Sequence, residues 1–265
     1  MSWHETTDVE QWLAAVGDLL FAEPGRHSVA LTLAQRFRDQ PDETVFGYWH
    51  DGIDVTGAVL HKPGNPAVLS VLPDEAIRPL DDLWELDLFG ATSALAVQYA
   101  RVNARGRRIE VRSAERLFRL EQLTPPVVEG SARLAEEADL PLLIGWFEDF
   151  LVEAQILVPQ DAAATMRERV ADDRLIVWDH DGPKAMAGRQ PPAFGASRIG
   201  PVYTPPPHRG HGYAAGATAA ATQAALLSSY QVVLYTDLAN PTSNALYQRL
   251  GYRPVEDRAT MGFSS

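Results

Sequence analysis

The pattern of apolar and polar positions divides the C-terminal half of the chain into alternating helices and strands. Residues 136–154 carry large apolar side chains at helical spacing, whereas residues 175–178 and 232–236 are short apolar runs typical of buried strands. Residues 212–229 are rich in alanine and predict a helix, because alanine has the highest helix propensity. The same criteria predict a helix over 161–171, strands over 184–190 and 196–204, a helix over 242–250, and one or two strands over 252–263.

The N-terminal half shows a similar order of elements. Its patterns predict helices over 9–21, 28–40 and 88–102, and strands over 44–49, 56–61, 67–72 and 108–111. Residues 123–131, between the halves, contain two prolines and a glycine, which is typical of a linker. We therefore predict two mixed α/β domains, residues 1–125 and 131–265, and the shared order of elements indicates a duplicated fold.

Composition narrows the classes of function. The formal net charge of −12 argues against nonspecific DNA or RNA binding, which needs a basic surface. An acidic surface would attract a cationic or amine-bearing partner, although acidity for solubility alone is the simpler explanation. No apolar run approaches the ~18 residues that span a bilayer, so no membrane association is expected. The start of the chain lacks the order of a signal peptide and there are no cysteines, which fits a cytoplasmic protein.

A glycine-bearing turn after the 196–204 strand opens the alanine-rich helix. Glycine lets the backbone approach a ligand closely, and the first N–H groups of a helix have no partner within it. The helix dipole adds partial positive charge at the same end, which favours a phosphate or diphosphate. The residues predicted to bind this group are Arg209, Gly210, His211, Gly212, Tyr213 and Ala214.

This turn, within residues 202–214, and a second segment, residues 240–252, together resemble the GCN5-related N-acetyltransferase (GNAT) superfamily. The first segment is similar to the family's Arg/Gln-x-x-Gly-x-Gly/Ala motif after a strand, and the second to its asparagine, tyrosine-bearing helix and Gly-Tyr. Each segment alone is also explained by a tight turn or by ordinary helix capping. Together they imply a GNAT-like acyl-CoA N-acyltransferase fold, tandem along the chain, with a mostly antiparallel mixed sheet flanked by helices.

The resemblance implies acetyl-CoA as the acyl donor and no metal. Main-chain groups of Val202 and Thr204 would bind the pantetheine arm as a neighbouring strand does, and Asn240 and Asn244 would approach the same arm. The N-terminal half has no such motif, so we expect it to have lost cofactor binding. The seven histidines are scattered, and no pair has the spacing of a structural zinc site.

The family's direct transfer to an amine needs an acid, an oxyanion donor and a base. The resemblance implies that Tyr247 protonates the departing thiolate, and that a backbone N–H of Val202 or Tyr203 binds the oxyanion. Asp237, at the end of a predicted strand, is a candidate base, directly or through water. A strand-end aspartate that only caps the following turn explains the same pattern.

The acceptor is expected to be a small amine, an amino acid or a peptide N-terminus. Glu148 and Glu153 could bind its ammonium group, or could lie on a solvated helix face, and Tyr235 could line the acceptor channel or pack in the core. Two alternatives to an acetyltransferase remain open: a non-catalytic acyl-CoA sensor, and a transferase for a longer acyl group. The sequence allows a homodimer and does not specify one.

Overall fold

The protein is described by a computed structural model that covers residues 1–156, 158 and 160–264. The chain divides into two compact units. Unit 1 contains Met1–Leu117 together with Glu256–Ser265, and unit 2 contains Phe118–Val255. The predicted division differs at two places: residues 118–125 belong to unit 2, and residues 256–265 belong to unit 1. The second difference is the larger change, because it moves the C-terminal strand. The physical reason is strand pairing, because residues 258–262 lie antiparallel to residues 88–92.

Unit 1 begins with a strand and two helices, continues with three antiparallel strands, and ends in strands that alternate with helices. Its elements are β1 (Ser2–Thr6), α1 (Val9–Phe21), α2 (Ser28–Asp39), β2 (Val45–His50), β3 (Val55–His61), β4 (Ala67–Val71), α3 (Asp74–Trp84), β5 (Leu88–Thr92), α4 (Ser93–Asn103) and β6 (Arg108–Leu120), whose last residues enter unit 2.

Unit 2 repeats this order. Its elements are β7 (Ser131–Leu134), α5 (Leu140–Glu153), α6 (Ala162–Ala171), β8 (Leu175–Asp179), β9 (Pro183–Arg189), β10 (Ala196–Tyr203), α7 (Tyr213–Leu226), β11 (Gln231–Asp237), α8 (Pro241–Arg249) and β12 (Tyr252–Ser264), whose C-terminal part lies in unit 1.

The strand pairing is the same in the two units. In unit 1 the sheet runs β1-β2-β3-β4-β5-β12, and in unit 2 it runs β11-β10-β9-β8-β7. Both sheets are antiparallel except at one pair, β4 with β5 in unit 1 and β10 with β11 in unit 2. This common pattern agrees with the predicted duplication and with a mostly antiparallel mixed sheet.

Helices cover both faces of the unit 2 sheet. Ala185 and Ala187 of β9 pack in the cluster that contains α7, whereas Met186 between them packs with α5 and α6, as alternation along a strand requires. The small residues of α7 allow close approach, since a Cβ on Gly216 would lie 2.7 Å from the Trp178 ring. This close packing holds the first turns of α7 against β8.

The helix predicted over residues 88–102 is wrong in its first five residues, which form β5. Helix α4 begins at Ser93, where the Thr92 hydroxyl accepts a hydrogen bond from the Leu95 amide at 3.4 Å. Strand β6 is much longer than the predicted 108–111, and β1, α3 and β7 were missed. Helix α3 contains Pro79, which removes a backbone donor and interrupts the helical pattern.

Candidate functional site

Strands β10 and β11 separate part of the way along their length. Their parallel pairing runs from Ala196↔Gln231 to Ile199↔Leu234 and stops there, although both strands continue for several residues. Pro201 has no N–H and cannot donate to a neighbouring strand. Beyond Ile199 the described residues of β10 no longer pair with β11, and we call this unpaired stretch between the two strands the β10–β11 gap.

The turn before α7 presents a row of backbone amides. Gly210 and Gly212 both have φ of +84°, a left-handed conformation that favours glycine. The first hydrogen bond of the helix runs from the Gly216 amide to the Gly212 carbonyl at 3.1 Å. In the described part of the chain, the backbone N–H groups of residues 210–215 have no hydrogen-bond acceptor. Such a turn at a helix N-terminus can bind a phosphate or diphosphate.

The Arg209 side chain is held beside this turn by α5. Its Nη2 donates to both carboxylate oxygens of Glu153 at 2.8 Å, and its Nε donates to the Thr204 carbonyl at 2.9 Å. The hydrogen bond to Glu153 raises the pKa of Arg209. The predicted diphosphate ligand Arg209 and the predicted amine ligand Glu153 thus bind each other.

Aromatic rings flank the start of α7. His211 stacks on Tyr213 with ring centroids 5.5 Å apart, and His180 lies 5.9 Å from the same ring. Val128, from the linker, limits the space beside Gly212, where an added Cβ would lie 3.0 Å from its Cγ2 atom. Ala214 is half-buried in the first turn of the helix. The residues predicted to bind the diphosphate thus form one continuous turn at the start of α7.

Helix α8 brings the second motif to the end of β11. The Asn240 side chain accepts a hydrogen bond from the Ser243 amide at 3.0 Å and caps the helix. Asn244 Nδ2 donates to the carbonyls of Asp237 and Asn240, at 2.9 and 2.7 Å. The Asp237 carboxylate is exposed and accepts the Ala239 amide at 2.8 Å, so it caps the turn after β11.

Buried oxygens without partners lie on the elements that border the gap. Thr204 Oγ1 follows β10, the Tyr235 hydroxyl lies on β11 just beyond the last paired residue, and Asn244 Oδ1 lies at the start of α8. None of the three has a hydrogen-bond partner among the residues that the structure describes. Buried polar atoms normally find a partner, so these atoms are available to a polar ligand that reaches them.

Tyr247 is almost fully buried, with 7% of its surface exposed. Its ring lies 6.4 Å from Phe118 and 6.2 Å from Tyr252. Burial raises the pKa of Tyr247 to about 12, so the hydroxyl keeps its proton at neutral pH. The role of Tyr247 as the acid stays a prediction.

Helix α5 carries two of the predicted acceptor residues, Glu148 and Glu153, and one residue that sequence reasoning missed. Glu148 is exposed. Asp149, which was not predicted, accepts a hydrogen bond from the Tyr203 hydroxyl at 3.3 Å. Burial, together with the charges of Glu153 and Asp149, raises the pKa of Tyr203. The signal was present, since positions 149 and 153 are four residues apart on one helix face.

Among the described residues of unit 1 there is no corresponding turn. Strand β4 leads into α3 through Pro73, and the first turn of that helix carries Asp74 and Glu75, which would repel a phosphate. Unit 1 also contains a cleft of about 260 Å³, in which acidic side chains already pair with arginines. Its lining residues are Asp81, Glu85, Asp87, Arg105 and Arg107, and none belongs to either motif.

Neither a metal cluster nor a membrane-spanning helix is found among the described residues. Within residues 1–156, 158 and 160–264, no three histidine or acidic side chains converge as a metal site would require. None of the described helices combines the length and the apolar character needed to cross a bilayer.

Comparison with known proteins identifies the fold. Residues 180–260, which contain both motifs, match the model of a family described as FR47-like protein. No curated protein matches the chain. Among solved structures, a GNAT-family acetyltransferase from Colwellia psychrerythraea is 11% identical with a TM-score of 0.61, and the match covers 100% of both chains.

Two further solved structures agree. A GCN5-related N-acetyltransferase from Sphaerobacter thermophilus is 14% identical, with a TM-score of 0.61 over 98% of this chain and 95% of the other. A tandem GNAT protein from the clavulanic acid biosynthesis pathway is 13% identical, with a TM-score of 0.57 over 99% and 98%. At these identities the likeness concerns the fold. The chain has the fold of GNAT acetyltransferases along its whole length, which confirms the resemblance and the predicted fold class.

Proposed function

We propose that unit 2 is an N-acetyltransferase that moves an acetyl group from acetyl-CoA directly to a primary amine. The observation that carries this proposal is the β10–β11 gap, together with the free amides of residues 210–215 at the start of α7. A gap between strands accepts an extended, amide-bearing chain, and the turn accepts an anion. CoA combines these two chemical features in one molecule.

The donor-binding residues follow from this arrangement. The turn amides would bind the diphosphate, and main-chain groups of Val202 on β10 and of Thr204 just after it would pair with the pantetheine arm, although the Thr204 carbonyl also accepts Arg209 Nε. Asn244 Oδ1 and Thr204 Oγ1 are buried acceptors or donors without partners, and they suit the amides of that arm. Asn240 would act through its cap on α8, because its side chain already binds the Ser243 amide.

The acyl-transfer residues lie on β10, β11 and α8. The amine nitrogen forms a bond to the thioester carbon, the carbon–sulfur bond breaks, and the thiolate takes the proton of the Tyr247 hydroxyl. Pro201 has no N–H, so the backbone donor for the thioester oxygen is Val202 or Tyr203. The amine proton would pass to Asp237, whose carboxylate is exposed, directly or through water.

The acceptor residues are proposed from charge. Glu148 is an exposed carboxylate on α5 that could attract an ammonium group, whereas Glu153 would act by holding Arg209 beside the turn. The Tyr235 hydroxyl, buried and without a described partner, would bind a polar atom of the acceptor. The acceptor class is accordingly a small molecule, amino acid or peptide that carries a primary amine.

Two assays test the proposal together. Calorimetry measures CoA binding to the whole chain, and a thiol-release assay measures turnover of acetyl-, propionyl- and succinyl-CoA over a panel of primary amines. We expect CoA to bind, and acetyl-CoA to be consumed only with an amine present. Binding without turnover on any amine would instead indicate a sensor, and preferential use of a longer donor would change the acyl group. The absence of both binding and turnover would contradict the proposal.

A further inference from the structure

One arginine of α6 is buried without an acidic partner. Arg169 is only 6% exposed, and its Nη1 donates to the carbonyls of Arg189 and Gly200 at 3.1 and 3.2 Å. No carboxylate in the described part of the chain forms an ion pair with it, and its Nε has no partner there. Burial, with the charges of Arg174 and Arg198, lowers the pKa of Arg169 to about 10, so it stays charged at neutral pH.

The Gly200 carbonyl that Arg169 binds lies where β10 leaves β11. Pairing with β11 ends at Ile199, and the register of β10 against β9 shifts between Ile199 and Val202. Arg169 takes up the Gly200 carbonyl, and Pro201 offers no amide. Since Pro201 has no N–H, Val202 carries the first backbone amide beyond Gly200. The Arg169 bond holds the Gly200 carbonyl on the β9 side of β10.

A glycine on the neighbouring strand makes room for this contact. A Cβ on Gly188 of β9 would lie 3.1 Å from Arg169 Nη1, 3.1 Å from the Gly200 carbonyl oxygen and 3.0 Å from Pro201. These distances are too short for an undisturbed methyl group. We call Arg169, Gly188 and Gly200 the Gly200 clamp.

We propose that Arg169 is a positioning residue for acyl transfer, which acts through the Gly200 clamp to aim the Val202 amide into the β10–β11 gap. This inference rests on the proposed function, because that amide is a proposed donor to the thioester oxygen. Arg169 itself touches no reactant. A guanidinium suits the task because it can bind two carbonyls at once and resists losing its charge.

The test uses two independent routes to disturb the clamp. Arg169→Gln removes the charge, and Gly188→Ala crowds the same contact while keeping the arginine. Arg167→Gln is the matched control, since Arg167 lies on the same helix and is exposed. Thermal melting shows whether each variant is folded. If Arg169→Gln does not fold, Gly188→Ala, the milder change, tests the inference alone. Calorimetry gives the CoA Kd, and steady-state kinetics give kcat and KM.

We expect kcat to fall about 100-fold in Arg169→Gln, the loss typical of one misplaced oxyanion donor. The kcat of Gly188→Ala should also fall. Arg169→Lys should keep part of the wild-type kcat, because an ammonium group can still donate to both carbonyls. The CoA Kd should stay within about threefold of the wild type, since the turn amides are untouched. Arg167→Gln should match the wild type in every measurement.

Two results would overturn the inference while the proposed function stands. One is a folded Arg169→Gln or Gly188→Ala variant with the wild-type kcat. The other is a loss of CoA affinity equal to the loss of kcat, which would mean a general distortion of unit 2. If the wild-type protein neither binds CoA nor acetylates any amine, the proposed function fails and the inference fails with it.

Discussion

Replacing Gly212 by glutamate should abolish CoA binding, and the structure sets the size of the effect. An L residue at φ of +84° costs about 1–2 kcal/mol in the left-handed region. If CoA must impose that conformation, Gly212→Ala alone weakens affinity about 5- to 30-fold. The longer side chain also meets Val128, whose Cγ2 lies 3.0 Å from the Cβ position. A carboxylate within ~4 Å of a phosphate adds about 4 kcal/mol of repulsion, roughly another thousandfold.

Calorimetry of CoA binding tests this prediction on the wild type, Gly212→Ala and Gly212→Glu. Gly64→Glu is the control, because Gly64 has a similar φ of +79°, open space around it and a position in unit 1. Urea unfolding of each variant separates a loss of affinity from a loss of folded protein. A folded Gly212→Glu variant with undiminished CoA affinity would refute the placement of the diphosphate on this turn.

Three further predictions concern catalysis and stability. Tyr247→Phe should lower kcat about 10²–10⁴-fold and leave the CoA Kd unchanged. Tyr230→Phe is the control, because Tyr230 is exposed. An unchanged kcat in Tyr247→Phe would mean that Tyr247 is not the acid. Asp237→Asn can still accept the Ala239 amide, so Tm should stay constant while kcat falls about 10²–10⁴-fold, and an unchanged kcat would leave Asp237 a turn cap. Burial lowers the pKa of His27 to about 4. Between about pH 6.5 and 4 the unfolded chain therefore binds a proton that the folded chain does not. Lowering the pH across this window should reduce the free energy of unfolding by about 3 kcal/mol. In His27→Gln, the free energy of unfolding from denaturant titrations should depend less on pH than in the wild type. The same pH dependence in both proteins would contradict the lowered pKa of His27.

The elements around the two motifs could be predicted because local signals agree there. The helix predicted over residues 212–229 is observed as Tyr213–Leu226, and the strand predicted over 232–236 as Gln231–Asp237. Alanine composition, glycine turns and an apolar run all act over a few residues. Because these signals are local, the order of elements in each half could also be predicted from the sequence.

The remaining features depend on contacts between residues distant in sequence. Residues 88–92 could not be distinguished from a helix, because a five-residue strand shows too little periodicity and its pairing partners, residues 67–68 and 258–262, are distant in sequence. Arg169 gave no signal, since an arginine on a helix is ordinarily solvated and only the fold brings it to Gly200. The bond between Arg209 and Glu153 was hidden for the same reason.

The most direct test of the account is a crystal structure of the whole chain with CoA bound. The account predicts diphosphate oxygens about 2.7–3.2 Å from backbone nitrogens of residues 210–215, with the pantetheine arm in the β10–β11 gap. A diphosphate bound elsewhere, or that turn left empty at saturating CoA, would contradict it.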